Sequence, residues 1–307
     1  MLHYRLEGSG PPLLLIHGWG VTYAIWQNLA PLLRTHFQLI MIELPGIGHS
    51  PGVDPHMPYY PACAEAIEEV RQFLGFEQWS VLAYSAGTRA AEAYVQRYPQ
   101  HVTRAVLLCP VRLRGIHSFA VYLLDTVRAS WSVPLKRWIL SDWRLYGLVT
   151  ALGFNGRRNI YTGVWKREIE LQPRETLIRS LCEMPGKGRA PFAASAVPTL
   201  FIWGSRDFLT ARPRRPRPND VFIPANHSAP LLAAAHVAEA VLPFLIEGRL
   251  VAPSSRSGKR WRIQRERRQR RPEGHKIRLL PSPRNVSFRR FALRPRQLFR
   301  RARTTSR

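Results

Sequence analysis

The stretch WSVLAYSAGTRAA, residues 79–91, decides the fold. An apolar run leads directly into a turn with small residues at Ala83 and Gly87 around Ser85, and a helix-forming segment follows. Small residues at this spacing suit a tight strand-to-helix turn, because neighbouring backbone must pass close to the bend. Such a turn holds the Ser85 hydroxyl at the strand end, above the N-terminus of the helix. The stretch predicts a nucleophile at Ser85, and the alternative is a plain turn serine.

Continuous apolar runs recur outward from this stretch, each bounded by glycine, proline or polar residues. They lie at residues 12–18, 37–43, 79–84, 103–109, 198–204 and 220–224. Runs of this length fit strands that are buried on both faces. Apolar residues at helical spacing occupy the intervals 23–34, 61–76, 86–98 and 229–245. The alternation predicts an α/β fold with a mostly parallel sheet, formed by residues 1–109 and 197–250 and covered by helices on both faces.

Residues 110–196 interrupt the alternation and are rich in Trp, Tyr, Leu and Arg. We expect several helices that form an insert over the sheet edge, starting where α/β folds place their binding sites. A second helical lobe without a binding role is the alternative. The aromatic residues of the insert are candidates for a pocket lining, for the insert's own core or for a lipid-touching surface. They are Phe119, Tyr122, Trp131, Trp138, Trp143 and Tyr146.

Most of the excess positive charge lies in the C-terminal tail, residues 251–307. The whole chain has a net charge of +26, and the part from Ala252 onward holds 20 basic and 2 acidic residues. Scattered proline and serine without apolar periodicity predict disorder. The tail is either an inert extension or a non-specific contact to an anionic membrane or nucleic acid, for which the run 267–271 supplies arginines. A specific nucleic-acid element is disfavoured, because no base-reading fold accompanies these arginines.

Composition excludes several classes of protein. Hydrophobic residues make up 45% of the 307 residues, which excludes wholesale disorder. The three cysteines (Cys63, Cys109 and Cys182) are too few for a disulfide framework, so we expect a reducing compartment. No Cys-x-x-Cys or His-x-x-x-His pair occurs, and we expect neither metal nor cofactor. No leader peptide or membrane span is recognised, so the expected location is cytoplasmic.

Two further residues complete a chemical set with Ser85. Asp207 follows the run at 198–204, and His227 follows the run at 220–224. Carboxyl ends of parallel strands meet at one sheet edge, where His227 can accept the Ser85 proton and Asp207 can fix the imidazole tautomer. Upstream, the backbone N–H groups of Trp19 and Ala86 are candidates to hold a developing oxyanion, unless the glycines beside Trp19 make an ordinary turn.

These motifs, in this order, resemble the α/β-hydrolase family over residues 2–250. The matching segments are His17-Gly18-Trp19-Gly20, residues 43–50 (ELPGIGHS), the turn at Ser85, Trp203-Gly204-x-x-Asp207 and Asn226-His227-Ser228. The resemblance implies an eight-stranded sheet, here expected to lack its first strand, with a helical cap inserted after the sixth strand at 110–196. It also implies a Ser85–His227–Asp207 triad, with Trp19 and Ala86 as oxyanion-hole donors.

The chain departs from the family pattern at several positions. Ala83 replaces the first glycine of the usual Gly-x-Ser-x-Gly, and Glu43 stands where aspartate is common. The segment between Asp207 and His227 is short and holds Pro213, Pro216 and Pro218, which oppose a helix. We therefore expect a loop there in place of the family's short helix.

The resemblance implies a serine hydrolase that cleaves a small-molecule carboxylic ester through an acyl-enzyme. Relatives of this fold that open epoxides or remove halides carry aspartate where Ser85 stands. The alternative is a hydrolase-fold binding protein that its basic tail tethers to a membrane or nucleic acid. The histidines other than His227 are expected to be structural or surface residues: His3, His17, His36, His49, His56, His101, His117, His236 and His275.

Overall fold

The computed structural model of the protein describes residues 1–111, 147, 150–151, 153–157, 159–184, 196–210, 212–213 and 215–250. The chain divides into two units, Met1–Ser257 and Gly258–Arg307, and every described residue belongs to the first. The tail at 251–307 and the six aromatic residues of the insert lie outside the described residues. No described helix is both long enough and apolar enough to cross a lipid bilayer.

The described residues form one seven-stranded sheet in the order β1-β3-β2-β4-β5-β6-β7. The strands, in chain order, are β1 (Tyr4–Glu7), β2 (Pro12–Ile16), β3 (Gln38–Ile42), β4 (Trp79–Tyr84), β5 (Val102–Leu108), β6 (Thr199–Gly204) and β7 (Asp220–Ile223). All neighbouring pairs are parallel except β1 with β3. The predicted mostly parallel α/β sheet is confirmed, and seven strands agree with an eight-stranded sheet that lacks one.

The central strands are apolar because helices cover both of their faces. Every residue of β4 is buried, and Leu14 and Val81 face each other across the β2–β4 pair. The edge strand β1 is different, since its two middle residues, Arg5 and Leu6, are exposed. The sequence analysis did not identify β1, because four residues without a continuous apolar run carry little periodicity.

Residues 147, 150–151 and 153 are helical, and seven further α-helices have both of their ends among the described residues. They are α1 (Ala30–Leu33), α2 (Tyr59–Phe73), α3 (Gly87–Arg97), α4 (Ile160–Leu171), α5 (Arg174–Glu183), α6 (Ala229–Leu232) and α7 (Ala234–Glu247). Short 3-10 turns occur at Tyr23–Trp26 and Pro99–His101. Helices α4 and α5 lie inside the predicted insert, and the cap itself stays a prediction.

Two predicted helices are broken in the structure. The interval 23–34 holds a 3-10 turn and then α1, because Pro31 sits in the first turn of α1 and cannot donate to a preceding carbonyl. The interval 229–245 is split at Ala233, whose backbone leaves the helical region. The described residues between Asp207 and β7 contain neither helix nor strand, in agreement with the expected proline-rich loop.

Candidate active site

Ser85 stands at the junction of β4 and α3 in a backbone conformation that side chains rarely adopt. Its φ is +52°, and its N–H donates to the carbonyl of Leu108 on β5 at 2.9 Å. A non-glycine residue in this region costs on the order of 1–3 kcal/mol, so the surrounding structure must enforce the conformation. The result is a sharp bend that lifts the hydroxyl out of the sheet.

Two glycines let the end of β2 approach this bend. A Cβ at Gly87 would run into the backbone carbonyl oxygen of His17, and a Cβ at Gly18 would lie 3.0 Å from the ring of Tyr84. The backbone after β2 and the backbone after β4 are therefore in direct contact. This contact brings the His17-Gly18-Trp19-Gly20 segment beside Ser85.

Ser85, His227 and Asp207 form a continuous hydrogen-bonded chain. Ser85 Oγ lies 2.8 Å from His227 Nε2, and His227 Nδ1 lies 2.8 Å from Asp207 Oδ2. The three residues follow β4, β7 and β6, whose carboxyl ends share one edge of the sheet. The structure thus brings together the three predicted residues, with the side chains of His227 and Asp207 almost fully excluded from solvent.

The carboxylate of Asp207 is held by its own loop. Its Oδ1 accepts the N–H groups of Leu209 at 2.8 Å and Thr210 at 3.1 Å, and its Oδ2 accepts the Thr210 hydroxyl at 2.8 Å. Burial by itself raises the pKa of Asp207, but His227 and these donors outweigh it and hold that pKa below its usual range. Asp207 is therefore an oriented anion that faces the imidazole.

Comparison with known proteins agrees with the fold. A family model described as alpha/beta hydrolase fold matches residues 11–138. A hydrolase from Pseudomonas aeruginosa superposes with a TM-score of 0.61 at 24% identity, covering 80% of this chain and 94% of that one. The enol-lactonase from Burkholderia xenovorans gives 0.60 at 20% identity, covering 80% and 96%.

The protein has the α/β-hydrolase fold. Among curated proteins, the chain is similar to pimeloyl-[acyl-carrier protein] methyl ester esterases. The one from Photobacterium profundum is 36% identical over 110 residues, which are 34% of this chain and 39% of that protein. The one from Vibrio vulnificus is 49% identical over 49 residues, 16% and 19% of the two chains. The chain therefore spans well under half the length of these relatives.

A pocket of the protein opens beside the two predicted oxyanion donors. Its lining is mostly apolar and consists of His17, Gly18, Trp19, Gly20, Leu44, Ile47, Tyr59, Tyr60, Ala86 and Ser180. Ala86 is the N-cap of α3, so its N–H precedes the helical hydrogen bonds. The Trp19 indole donates to the carbonyl of Leu177 on α5 at 3.0 Å, which fixes its ring on the pocket wall.

Two residues that the sequence analysis did not assign to the site touch the hydrogen-bonded chain. The hydroxyl of Tyr84 donates to the backbone carbonyl of His227 at 2.8 Å, and the two rings are 5.3 Å apart. Cys109 is buried and has a φ of +48°. Its sulfur lies within 4.8 Å of ligand atoms of Asp207 and His227. Burial, with Asp207 nearby, raises the pKa of this thiol and keeps it neutral.

Proposed function

We propose that this α/β hydrolase is a serine hydrolase that cleaves a carboxylic ester through an acyl-enzyme. The observation that carries the proposal is the pair of 2.8 Å hydrogen bonds that link Ser85, His227 and Asp207. A hydroxyl, an imidazole and a buried carboxylate in this order are the parts that nucleophilic acyl transfer needs. The similarity to methyl ester esterases supports an ester as the substrate.

Acylation begins when Ser85 Oγ attacks the ester carbonyl carbon while His227 Nε2 takes the hydroxyl proton. The imidazolium that forms is stabilised by the anionic Asp207, which also keeps the other ring proton on Nδ1. Negative charge then develops on the former carbonyl oxygen, and the backbone N–H groups of Trp19 and Ala86 are proposed to stabilise it by hydrogen bonding. Each such donor is worth about 3–4 kcal/mol of transition-state stabilisation.

The second half of the reaction returns the enzyme to its starting state. Collapse of the tetrahedral intermediate breaks the bond to the alkoxy group, which takes the proton from His227 and leaves as an alcohol. A water then attacks the acyl carbon while His227 accepts one of its protons. Release of the carboxylic acid gives the proton back to Ser85, so that no cofactor is consumed.

The apolar pocket is proposed to receive the acyl part of the ester. Leu44, Ile47, Tyr59 and Tyr60 offer hydrocarbon and aromatic surface next to Ala86. The hydroxyl of Tyr60 is already used by the carbonyl of Ser180 at 3.0 Å. The wall therefore favours an apolar acyl chain over a charged one. Residues 110–196, proposed as the cap, contribute Ser180 to this wall.

A fluorophosphonate probe that labels activated serines tests the proposal. We expect covalent labelling of the wild type, no labelling of Ser85→Ala, and loss of ester turnover in the same variant. Ser80→Ala is the matched control, because Ser80 lies buried on the same strand but bonds Thr103 at 2.7 Å. Folded wild-type protein that stays unlabelled, or Ser85→Ala protein that still turns over esters, would contradict the assignment.

Turnover of a series of chromogenic esters of increasing acyl length then measures which acyl chain length the pocket accepts.

The competing role as a tail-tethered binding protein depends on residues 251–307, which lie outside the described residues. Ester turnover that survives removal of this tail supports the hydrolase. Salt-sensitive polyanion binding that follows the tail, with no turnover by either protein, favours the binding role instead.

A further inference from the structure

A second cluster of histidine and carboxylate side chains lies apart from the proposed triad. His3 precedes β1, Glu43 follows β3, and His49 belongs to the turn after it. Glu43 Oε2 lies 3.0 Å from His3 Nδ1 and 3.4 Å from His49 Nδ1. The three ligand atoms all lie within 4.8 Å of one another, and the proposed ester reaction uses none of them.

The backbone around this cluster is fixed by a ring of hydrogen bonds. The N–H of Glu43 donates to the carbonyl of His3 at 2.9 Å, and the N–H of His3 donates to Ser50 Oγ at 2.9 Å. The Ser50 hydroxyl donates in turn to the carbonyl of Glu43 at 2.6 Å. Three separate segments are therefore joined before any ligand binds, which lowers the cost of ordering the donor atoms.

The carboxylate of Glu43 is oriented as well as buried. Its Oε2 accepts the N–H of His49 at 2.7 Å, and the side chain is 2% exposed. Gly48, with a φ of +58°, allows the close approach, since a Cβ there would run into the carboxylate. The Glu43 side chain thus lies against two imidazoles whose outer sides remain open, with 39% of His3 and 78% of His49 exposed.

The spacing of these atoms matches the requirements of a tetrahedral metal ion. Zinc lies about 2.0–2.2 Å from imidazole nitrogen or carboxylate oxygen, so that two tetrahedral ligands are about 3.3 Å apart. Glu43 Oε2 lies 3.0 and 3.4 Å from the two Nδ1 atoms, on either side of this value, and the two Nδ1 atoms lie within 4.8 Å of each other. Two imidazoles and a carboxylate are a donor set of borderline softness that suits Zn²⁺ and its neighbours better than Mg²⁺ or Ca²⁺.

We propose that His3, Glu43 and His49 bind one divalent transition-metal ion of the zinc class, with water in the remaining position. The ion would join the segment before β1 to the turn at 44–50. Because Leu44 and Ile47 of that turn line the pocket, the ion would stiffen one pocket wall.

Zinc titration of the full-length, chelator-treated protein tests the site, with calorimetry as the readout. We expect one ion per chain, and a loss of affinity of about tenfold or more in both His3→Ala and His49→Ala. His56→Ala is the matched control, because His56 is an exposed histidine on the neighbouring loop and lies outside the cluster. Its affinity for zinc should equal that of the wild type.

X-ray absorption at the zinc edge of the wild type gives a readout that does not depend on how the variants fold. Two imidazoles and one carboxylate oxygen in the first coordination shell support the proposal. A sulfur ligand, or a single imidazole, overturns it. Wild-type affinity in both His3→Ala and His49→Ala also overturns it, since the ion is then held elsewhere. Absence of binding at millimolar zinc also overturns it and leaves the cluster as carboxylate–imidazole hydrogen bonds only.

Discussion

Two buried histidines, His17 and His227, lie at the same edge of the sheet with different partners. The His17 ring bonds main-chain groups only: Nδ1–H donates to the carbonyl of Gly18 at 2.8 Å, and Nε2 accepts the N–H of Leu44 at 2.9 Å. Both partners of His227 are side chains, Ser85 and Asp207. Burial is nearly complete for both rings, so the partners and not the burial separate a structural histidine from a proton carrier.

The charge state of the two rings follows from these partners. Burial lowers the pKa of His17 to about 4, and neither the carbonyl of Gly18 nor Glu43 compensates for the desolvation. His17 therefore stays neutral and holds the end of β2 against Leu44, the second residue after β3. His227 faces an anion, so the imidazolium that the proposed reaction creates has a compensating charge in contact with it.

Asp207→Asn tests the comparison most strongly, because it removes the anion and leaves the volume unchanged. We expect kcat/KM for ester hydrolysis to fall by about 10⁴-fold, since the amide favours the wrong imidazole tautomer. Asp220→Asn is the control: Asp220 is also buried, but it accepts from the Trp203 indole at 2.8 Å and from Arg217. A fall of less than tenfold in the Asp207 variant would remove the carboxylate from the proposed mechanism.

His17→Gln tests the comparison between His17 and His227 through the unfolding free energy at acid pH. The His17 pKa is about 4 in the folded protein, against 6.5 for a histidine exposed to water. The unfolded chain therefore binds a proton between these pH values that the folded chain excludes. The wild type should lose on the order of 3 kcal/mol through this group as pH falls from 6.5 to 4, with no contribution above that window.

Urea unfolding of both proteins at several pH values measures this effect as a difference. Glutamine keeps an acceptor for the N–H of Leu44, so the variant should fold, and other titrating groups cancel in the comparison. The stability advantage of the wild type should shrink towards pH 4. Parallel pH profiles for the two proteins would mean that His17 titrates normally, which is incompatible with a pKa lowered by burial.

Gly87→Ala disrupts the contact between the two backbone segments that carry His17 and Ser85. The added methyl would meet the carbonyl oxygen of His17, so we expect a loss of about 1–3 kcal/mol in unfolding free energy. Gly163→Ala, inside α4 with no heavy atom within 4 Å of the new Cβ, should instead stabilise the protein by about 0.5–1 kcal/mol. Thermal or urea denaturation of both variants measures whether each is less or more stable than the wild type. A gain in stability in both variants would show that the bend at Ser85 can accommodate the added methyl group.

Tyr84→Phe is expected to have the smallest effect. It removes the donor to the carbonyl of His227 and keeps the ring, which should cost about 0.5–1.5 kcal/mol of stability. If Tyr84 positions His227, kcat should fall several-fold while KM stays unchanged. An unaltered kcat at reduced stability would assign Tyr84 to packing alone.

The sheet could be predicted from the sequence because its central strands are continuous apolar runs. The order of the strands in the sheet then determines which loops lie next to one another. Sequence analysis placed Ser85, Asp207 and His227 in one cluster for the same reason. Helix breaks at Pro31 and Ala233 were missed, because local hydrophobic spacing continues through both. The edge strand β1 was missed because its residues are exposed.

The remaining contacts could not be predicted, because no local pattern encodes them. Tyr84 and His227 are 143 positions apart, and the hydroxyl of one meets the main chain of the other. His3 and Glu43 are 40 positions apart and meet only because β1 pairs antiparallel with β3. A search for short metal-ligand spacings therefore passes over this cluster.

The 142 positions between Ser85 and His227 have a consequence for biosynthesis. During translation the serine leaves the ribosome long before β6 and β7 deliver the carboxylate and the imidazole. In a growing chain that already contains the bend at Ser85, the Ser85 hydroxyl is therefore no more reactive than that of any other serine. Under the proposed function, hydrolytic competence starts only when the last two strands dock, so that an incomplete chain cannot attack esters in its surroundings.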